Sequence, residues 1–308
     1  MCEMKVLMTG AYGFLGKQIR ESVCDLNYRI TSVGLEKENK IICDLSKVSP
    51  KLSMNYEMVI HVAGKAHVVP KNKEEESEFF HVNLEGTRNL IKGIEQYGRL
   101  PQSIVFISTV AVYGLEKGKM ITEKQERNAI DPYGLSKLKA EDFLLEWGQK
   151  NNVKIGIVRP PLIIGKNAPG NLKSMFEGIK SNRYLNVDHG KVRRSMVLAE
   201  DLAAFLPIIA KYGGIYHLTD GQHPSFGEIS NLIANHIGKK KIRNLPLSIA
   251  KLFAKSGDFA QKLIKKELPF NSKKLKKMTS SLVFDDTKAR AIGWNPRSVI
   301  ANPQLWLD

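Results

Sequence analysis

Gly10, Gly13 and Gly16 stand directly after the apolar run Val6-Leu7-Met8 and before a stretch with helical patterning. Glycines at these offsets let backbone amides approach a pyrophosphate at a helix N-terminus and let that helix pack closely on the strand before it. An ordinary tight turn explains one such glycine; three in register after a first strand ask for more. A chain that begins strand, phosphate-cradling loop, helix is committed to layers of helices on a parallel sheet.

The rest of the chain keeps to that plan. Lys5-Val6-Leu7-Met8, Arg29 to Val33, Met58 to Val62, Ser103 to Ser108 and Lys154 to Arg159 are short, almost continuous apolar runs separated by longer helical segments. Such runs suit strands buried on both faces. The expected fold is a doubly wound α/β sheet. After Pro160-Pro161 and the loop Gly165 to Gly170 the pattern changes, and Gly214 to Leu218 reads as a strand able to return to the main sheet. The expected division is residues 1–165 for the dinucleotide-binding domain, with return segments near 192–220, and 166–308 for a smaller α/β substrate lobe.

Composition narrows the setting. The 308 residues are enough to bury a core, and Cys2, Cys24 and Cys43 show no CxxC or obvious pairing, so they read as reduced thiols. His61, His67 and His81 match no zinc spacing, and no metal is expected. The N-terminus lacks a signal-peptide pattern, and no apolar run reaches the ~18 residues of a membrane span, so a cytoplasmic protein is expected. The formal charge is +16, of which twelve lysines and Arg243 between Lys239 and Lys277, set against Asp258 and Glu267, supply +11. Aromatic interleaving typical of a base-stacking surface is lacking, so a solvated lysine face is preferred, with attraction to nucleic-acid phosphates or to an anionic membrane surface as the alternative.

The second motif is Asp131-Pro132-Tyr133-Gly134-Leu135-Ser136-Lys137. Asp131 is a good N-cap and Pro132 a good first helical residue, which puts Tyr133 and Lys137 one turn apart on one face. An ammonium beside a phenol favours the phenolate, making the tyrosine an acid/base for a hydroxyl. A third element is the strand through Phe106-Ile107 ending in Ser108-Thr109, hydroxyls at the end of a parallel strand where ligands bind. A turn or cap is the bland alternative for Thr109.

Taken together, these motifs resemble the extended short-chain dehydrogenase/reductase family, in its NAD-dependent epimerase/dehydratase branch of UDP-sugar 4-epimerases and 4-keto reductases. The resemblance runs through TGxxGxxG at Thr9 to Gly16, Cys43-Asp44-Leu45, His61 to Gly64, Val82 to Thr87, Ser108-Thr109 with Val112-Tyr113-Gly114, Tyr133 with Lys137, Arg159-Pro160-Pro161, Arg194 with Asp201, and Gly293 to Pro296. It implies a Rossmann-type sheet and a catalytic group of Thr109, Tyr133 and Lys137. It also implies a cofactor site of Gly10, Tyr12, Gly13, Phe14, Leu15, Asp44, Leu45, Val62, Ala63, Gly64, Arg159 and Pro160, joined by Tyr133 and Lys137. Lys65, Thr109, Asn171 and Arg194 would bind the substrate, with Asn171 and Arg194 on its diphosphate.

Two departures matter. The acidic position expected at the end of the second strand falls on Gly34, with Glu36 and Lys37 nearby, so NAD or NADP both stay open, NAD marginally preferred. The 4,6-dehydratases of the family carry Asp-Glu after the threonine, whereas Val110-Ala111 follow Thr109 here, so dehydration is not expected. The resemblance thus implies a C4 epimerase or 4-keto reductase of a nucleotide-linked, UDP-type sugar, of the kind used in polysaccharide biosynthesis. A homodimer is compatible with it. A redox-sensing NAD(P)-binding regulator without catalysis is the alternative, disfavoured because both Tyr133 and Lys137 are present.

Overall fold

The computed structural model describes residues 3–24, 27–66, 68–239, 242–264 and 271–307. Its strands are β1 (Met4–Thr9), β2 (Tyr28–Gly34), β3 (Ile41–Ile42), β4 (Met58–His61), β5 (Ser103–Ile107), β6 (Gly118–Ile121), β7 (Lys154–Val158), β8 (Leu162–Ile164), β9 (Asn186–Val187), β10 (Met196–Leu198), β11 (Gly214–Tyr216), β12 (Asn244–Leu245) and β13 (Leu282–Phe284). The helices that matter below are α1 (Phe14–Cys24), α2 (Lys73–Phe80), α3 (Gly86–Tyr97), α4 (Pro132–Asn151), α5 (Asn171–Lys180), α6 (Ala199–Tyr212), α7 (Phe226–His236), α8 (Leu247–Ile264) and α9 (Ser272–Met278).

Seven strands form one parallel sheet in the order β11-β7-β5-β4-β1-β2-β3. All five runs picked out in the sequence are in it, and the strand after Gly213 does return, pairing with β7. Alternation along β1 shows why the runs look continuous: Val6 and Met8 pack under α1 and α6, while Leu7 faces the opposite core with Leu90, Ile94, Leu144 and Trp147. Both faces are buried, so consecutive positions Val6, Leu7 and Met8 are all apolar.

From β1 the chain winds outward through β2 and β3, then crosses back to β4 and winds the other way. The reversal opens a crevice between the carboxyl ends of β1 and β4, where ligands bind in such sheets. Pairs β8–β10, β9–β12 and β6–β13 form small separate sheets beyond that edge. Here α5 and α7 pack a third core around Met175, Ile179, Ile229 and Ile233.

Candidate active site

The glycine loop shows a different reason for each glycine. Gly10 has φ +68°, and a Cβ there would come within 2.7 Å of the Ala63 nitrogen, because the loop presses on the chain leaving β4. A Cβ on Gly16 would lie 1.9 Å from the Gly10 carbonyl oxygen, so α1 could not approach. A Cβ on Gly13 would meet only the Gly10 oxygen, at 3.4 Å, and its φ is not in the left-handed region. Gly13 is therefore the position where the fold itself leaves room, facing the end of α1. Tyr12 donates to the Glu38 carbonyl at 2.6 Å and ties the loop to the connection after β2, Phe14 packs against Gly165, and Leu15 is buried.

At the carboxyl end of β4, His61 is wholly buried. Thr87 donates to the Asn83 carbonyl (2.7 Å), so His61 Nε2–H donates to Thr87 (2.8 Å) and Nδ1 accepts from Thr9 (2.6 Å), whose oxygen in turn accepts from the Ala63 amide (3.1 Å). Burial and then the nearby Lys137 push the imidazole down to about 3, so it stays neutral. This chain clamps β1, β4 and α3 beneath the crevice. Among the described residues no His, Cys, Asp and Glu cluster could hold a metal, and His67 lies outside them. Of the cysteines, Cys43 is a buried free thiol.

The face of α4 holds the tyrosine and lysine picked out in the sequence. Asp131 accepts from the Gly134 amide at 2.9 Å and Pro132 follows, the start expected from the sequence. Lys137 is 3 % exposed; its Nζ donates to the Ile107 carbonyl at 2.9 Å and lies 4.5 Å from the Phe106 ring centre. A Cβ on Gly64 would come within 2.9 Å of that Nζ, so Gly64 is what admits the ammonium to the crevice. Burial pulls Lys137 down to about 7, with Glu141 opposing. Tyr133 departs from the sequence expectation: burial raises its phenol above the ordinary range, Thr109 lowers it and Asp131 adds to the rise. The group beside the phenol that favours its ionised form is thus the Thr109 hydroxyl. Thr109 is also a cap, accepting from the Ala111 amide at 3.1 Å, the bland alternative that the sequence offered.

One turn beyond Lys137, Glu141 is fully buried. It accepts from Ser108 (2.5 Å) and from Arg159 Nε and Nη2 (3.0 and 2.6 Å), and Arg159 Nη1 donates to the Tyr113 hydroxyl at 2.7 Å. Tyr113 in turn donates to His217 Nε2 at 2.7 Å, and its own phenol is pushed up to about 12, chiefly by burial. Sequence reasoning missed Glu141. The available signal was a carboxylate on the otherwise apolar stripe of Lys137, Ala140 and Leu144, the last two fully buried. Asn83 was also missed: it bonds the Lys65 main chain (2.8 and 3.2 Å) and Ser136 (2.9 Å), joining the chain after β4 to α4.

The structure brings Thr109, Tyr133, Lys137 and Gly64 together at the carboxyl ends of β4 and β5, and Val62 and Ala63 against the loop at β1. Asp44 and Leu45 follow the edge strand β3, where Asp44 accepts from Ser46 (2.6 Å) and Leu45 accepts from Asn89 (2.8 Å). Ser46 holds the Asp44 carboxyl below its usual range. The Arg159 guanidinium is turned into the buried network, and Pro160 accepts from the Val110 amide at 3.2 Å. Lys65 pairs with Glu78 of α2. Asn171 opens α5 and Arg194 lies just before β10, bridged to Leu282, with burial lowering its guanidinium. Both stand on segments separate from α4.

A cofactor fits this arrangement on two independent observations. The loop is open where Gly13 lacks a side chain, and Asn39 Oδ1, buried beside Gly34, has no hydrogen-bond partner among the described residues while its Nδ2 donates to Glu36 at 2.9 Å. A dinucleotide's pyrophosphate and ribose hydroxyls are the groups that such a loop and such an acceptor would meet.

A family model described as the NAD dependent epimerase/dehydratase family matches residues 6–217. The N-acetyl-alpha-D-glucosaminyl-diphospho-ditrans,octacis-undecaprenol 4-epimerase of Escherichia coli O157:H7 is 26% identical over 306 residues, covering 94% of this chain and 89% of that protein. The GDP-6-deoxy-D-mannose reductase of Pseudomonas aeruginosa is 26% identical over 247 residues, covering 75% and 79%. Among solved structures, the Thermus thermophilus UDP-glucose 4-epimerase in complex with NAD superposes with a TM-score of 0.74 at 21% identity, covering 99% of this chain and 98% of the other.

Proposed function

This chain belongs to the NAD-dependent epimerase/dehydratase family, and from that membership we propose that it oxidises or reduces C4 of a sugar carried on a diphosphate, as a nucleotide-sugar 4-epimerase or 4-keto reductase. The cofactor is NAD or NADP, which when bound supplies the hydride acceptor and donor. The carrying observation is the convergence of Thr109, Tyr133 and Lys137 beside Gly64, next to the open glycine loop.

In this reading the Tyr133 oxygen exchanges a proton with the C4 hydroxyl, and Thr109 orients that hydroxyl while favouring the phenolate. Lys137, buried and donating to the Ile107 carbonyl, supplies a cation whose charge responds to ligands near neutral pH. Gly10 to Leu15 hold the pyrophosphate, Asp44, Leu45, Val62, Ala63 and Gly64 line the rest of the cofactor cleft, and Arg159 acts by holding α4 to β7. Asn171 and Arg194 hold the substrate diphosphate. Val110 and Ala111 offer no acid or base, which argues against dehydration. Glu36 and the free acceptor on Asn39 suit a ribose hydroxyl better than a 2′-phosphate, which supports NAD.

UDP is the favoured carrier, by resemblance to UDP-sugar enzymes. A polyprenol diphosphate is the second reading, favoured by the name of the Escherichia coli relative; in both, the diphosphate is the recognised group. The test is NMR of the product formed from UDP-linked hexoses, or from their 4-keto forms, in deuterated water. Inversion at C4 without deuterium at that carbon, or a single reduction of the ketone, is expected. Deuterium carried onto C4 from solvent, or no change at C4 with any such sugar, contradicts the proposal.

A further inference from the structure

The lysine-rich segment holds more than charge. In α8, Ala250 and Ala254 are fully buried and pack with Leu275 of α9, whereas Ile249, Leu252 and Phe253 are 43%, 66% and 58% exposed. Positions 249, 252 and 253 share one outward face of the helix. Lys251 and Lys255 stand together to one side of that stripe and line, with Lys191, Lys276, Ser272 and Thr279, a cleft of about 540 Å³. Asp188, paired with Lys191 at 3.4 Å, is the acidic side chain at the cleft. Lys251, Lys255 and Lys276 are exposed, as the sequence reading expected. Lys240, Lys241, Lys265 and Lys266 lie outside the described residues.

We propose that the α8 face docks on an anionic phospholipid surface, with Ile249, Leu252 and Phe253 entering the headgroup boundary and the lysines of the adjoining cleft meeting lipid phosphates. An exposed apolar stripe bordered by cations is the pattern of an interfacial helix. Charge selects this occupant over a second copy of the chain, since a twofold contact through this face would set Lys251, Lys255 and Lys276 against the same lysines of the other copy. It also selects it over nucleic acid: phosphates alone need no exposed leucine and isoleucine, whereas a bilayer takes both halves of the pattern. The inference goes beyond the C4 chemistry, and vesicle binding does not use the active site, so either can fail without the other.

The experiment is flotation of the full chain with vesicles of phosphatidylcholine alone and of phosphatidylcholine mixed equally with phosphatidylglycerol, near physiological ionic strength. Expected is binding to the mixed vesicles only, weakened by added salt. The double variant Leu252→Ser/Phe253→Ser should lose it at least ~10-fold and Lys251→Glu/Lys255→Glu similarly, each with unchanged NAD(P) affinity as the folding control. Absence of binding to mixed vesicles overturns the proposal. So does binding that survives Leu252→Ser/Phe253→Ser, a fall from dimer to monomer in that variant, or tight duplex DNA binding that this variant leaves intact.

Discussion

Helices α4 and α8 both expose lysine to the physics of their surroundings, with opposite results. In α4, Lys137 and Glu141 are one turn apart and wholly inside, each charge met by named groups from β5, β7 or the turn after β5. In α8, Lys251 and Lys255 stand in solvent beside an apolar stripe that the described residues leave uncovered. Burial pulls the pKa of Lys137 down to about 7 and makes it a responsive group, whereas the exposed pair can act at a surface. What a lysine does is decided by its desolvation, and a residue count sees none of that.

The comparison breaks most easily at Glu141. Glu141→Ala leaves Arg159 buried without its bidentate partner and should cost about 3–5 kcal/mol of stability in urea unfolding. A loss below ~1 kcal/mol would mean that the network is dispensable. The loop offers the next effect. Gly13→Val should fold normally and lose cofactor affinity on the order of 100-fold by calorimetry, whereas Gly16→Val should fail to fold, since its side chain would meet the Gly10 oxygen. Equal behaviour of the two variants would erase the distinction drawn between them.

Lys137→Met sharpens the contrast through pH. Its folded pKa of about 7 lies below the ordinary lysine value of 10.5, so the unfolded chain holds the proton across that interval. The burial penalty is fully present below pH 7 and fades as pH rises toward 10.5. The variant, while inactive, should therefore be more stable than wild type by about 1–3 kcal/mol below neutrality, with the gap closing in alkaline melts. The smallest effects belong to Arg194 and to α8. Arg194→Ala should raise the KM for the sugar diphosphate about tenfold with NAD(P) affinity intact. Lys251→Gln/Lys255→Gln should leave KM for a water-soluble substrate unchanged and stability within about 0.5 kcal/mol of wild type. Reversal of that pair of results would put the diphosphate site in α8.

Much of this was legible because the relevant signals are local. Gly10, Gly13 and Gly16 announce themselves by residue type, Asp131-Pro132 by cap chemistry, and the sheet by continuous apolar runs. What was not legible depends on distant chain segments. Glu141 reads as a solvent-facing helical carboxylate until Arg159 arrives from β7, and Tyr113 meets His217 across 104 positions. The direction of the Tyr133 shift was also misjudged, because spacing along α4 puts Lys137 on its face but says nothing of how deeply the phenol is buried. In α8 the lysines are plain in the sequence and the apolar stripe beside them is not, since exposure of Leu252 and Phe253 is a property of packing.

The account stands on proton exchange at Tyr133, and kinetics of Tyr133→Phe test it most directly. The variant keeps ring, helix and cap, so NAD(P) affinity should match wild type while turnover falls by at least ~100-fold. Turnover near wild type with the cofactor bound would contradict the assignment, and with it the catalytic role given to this face of α4.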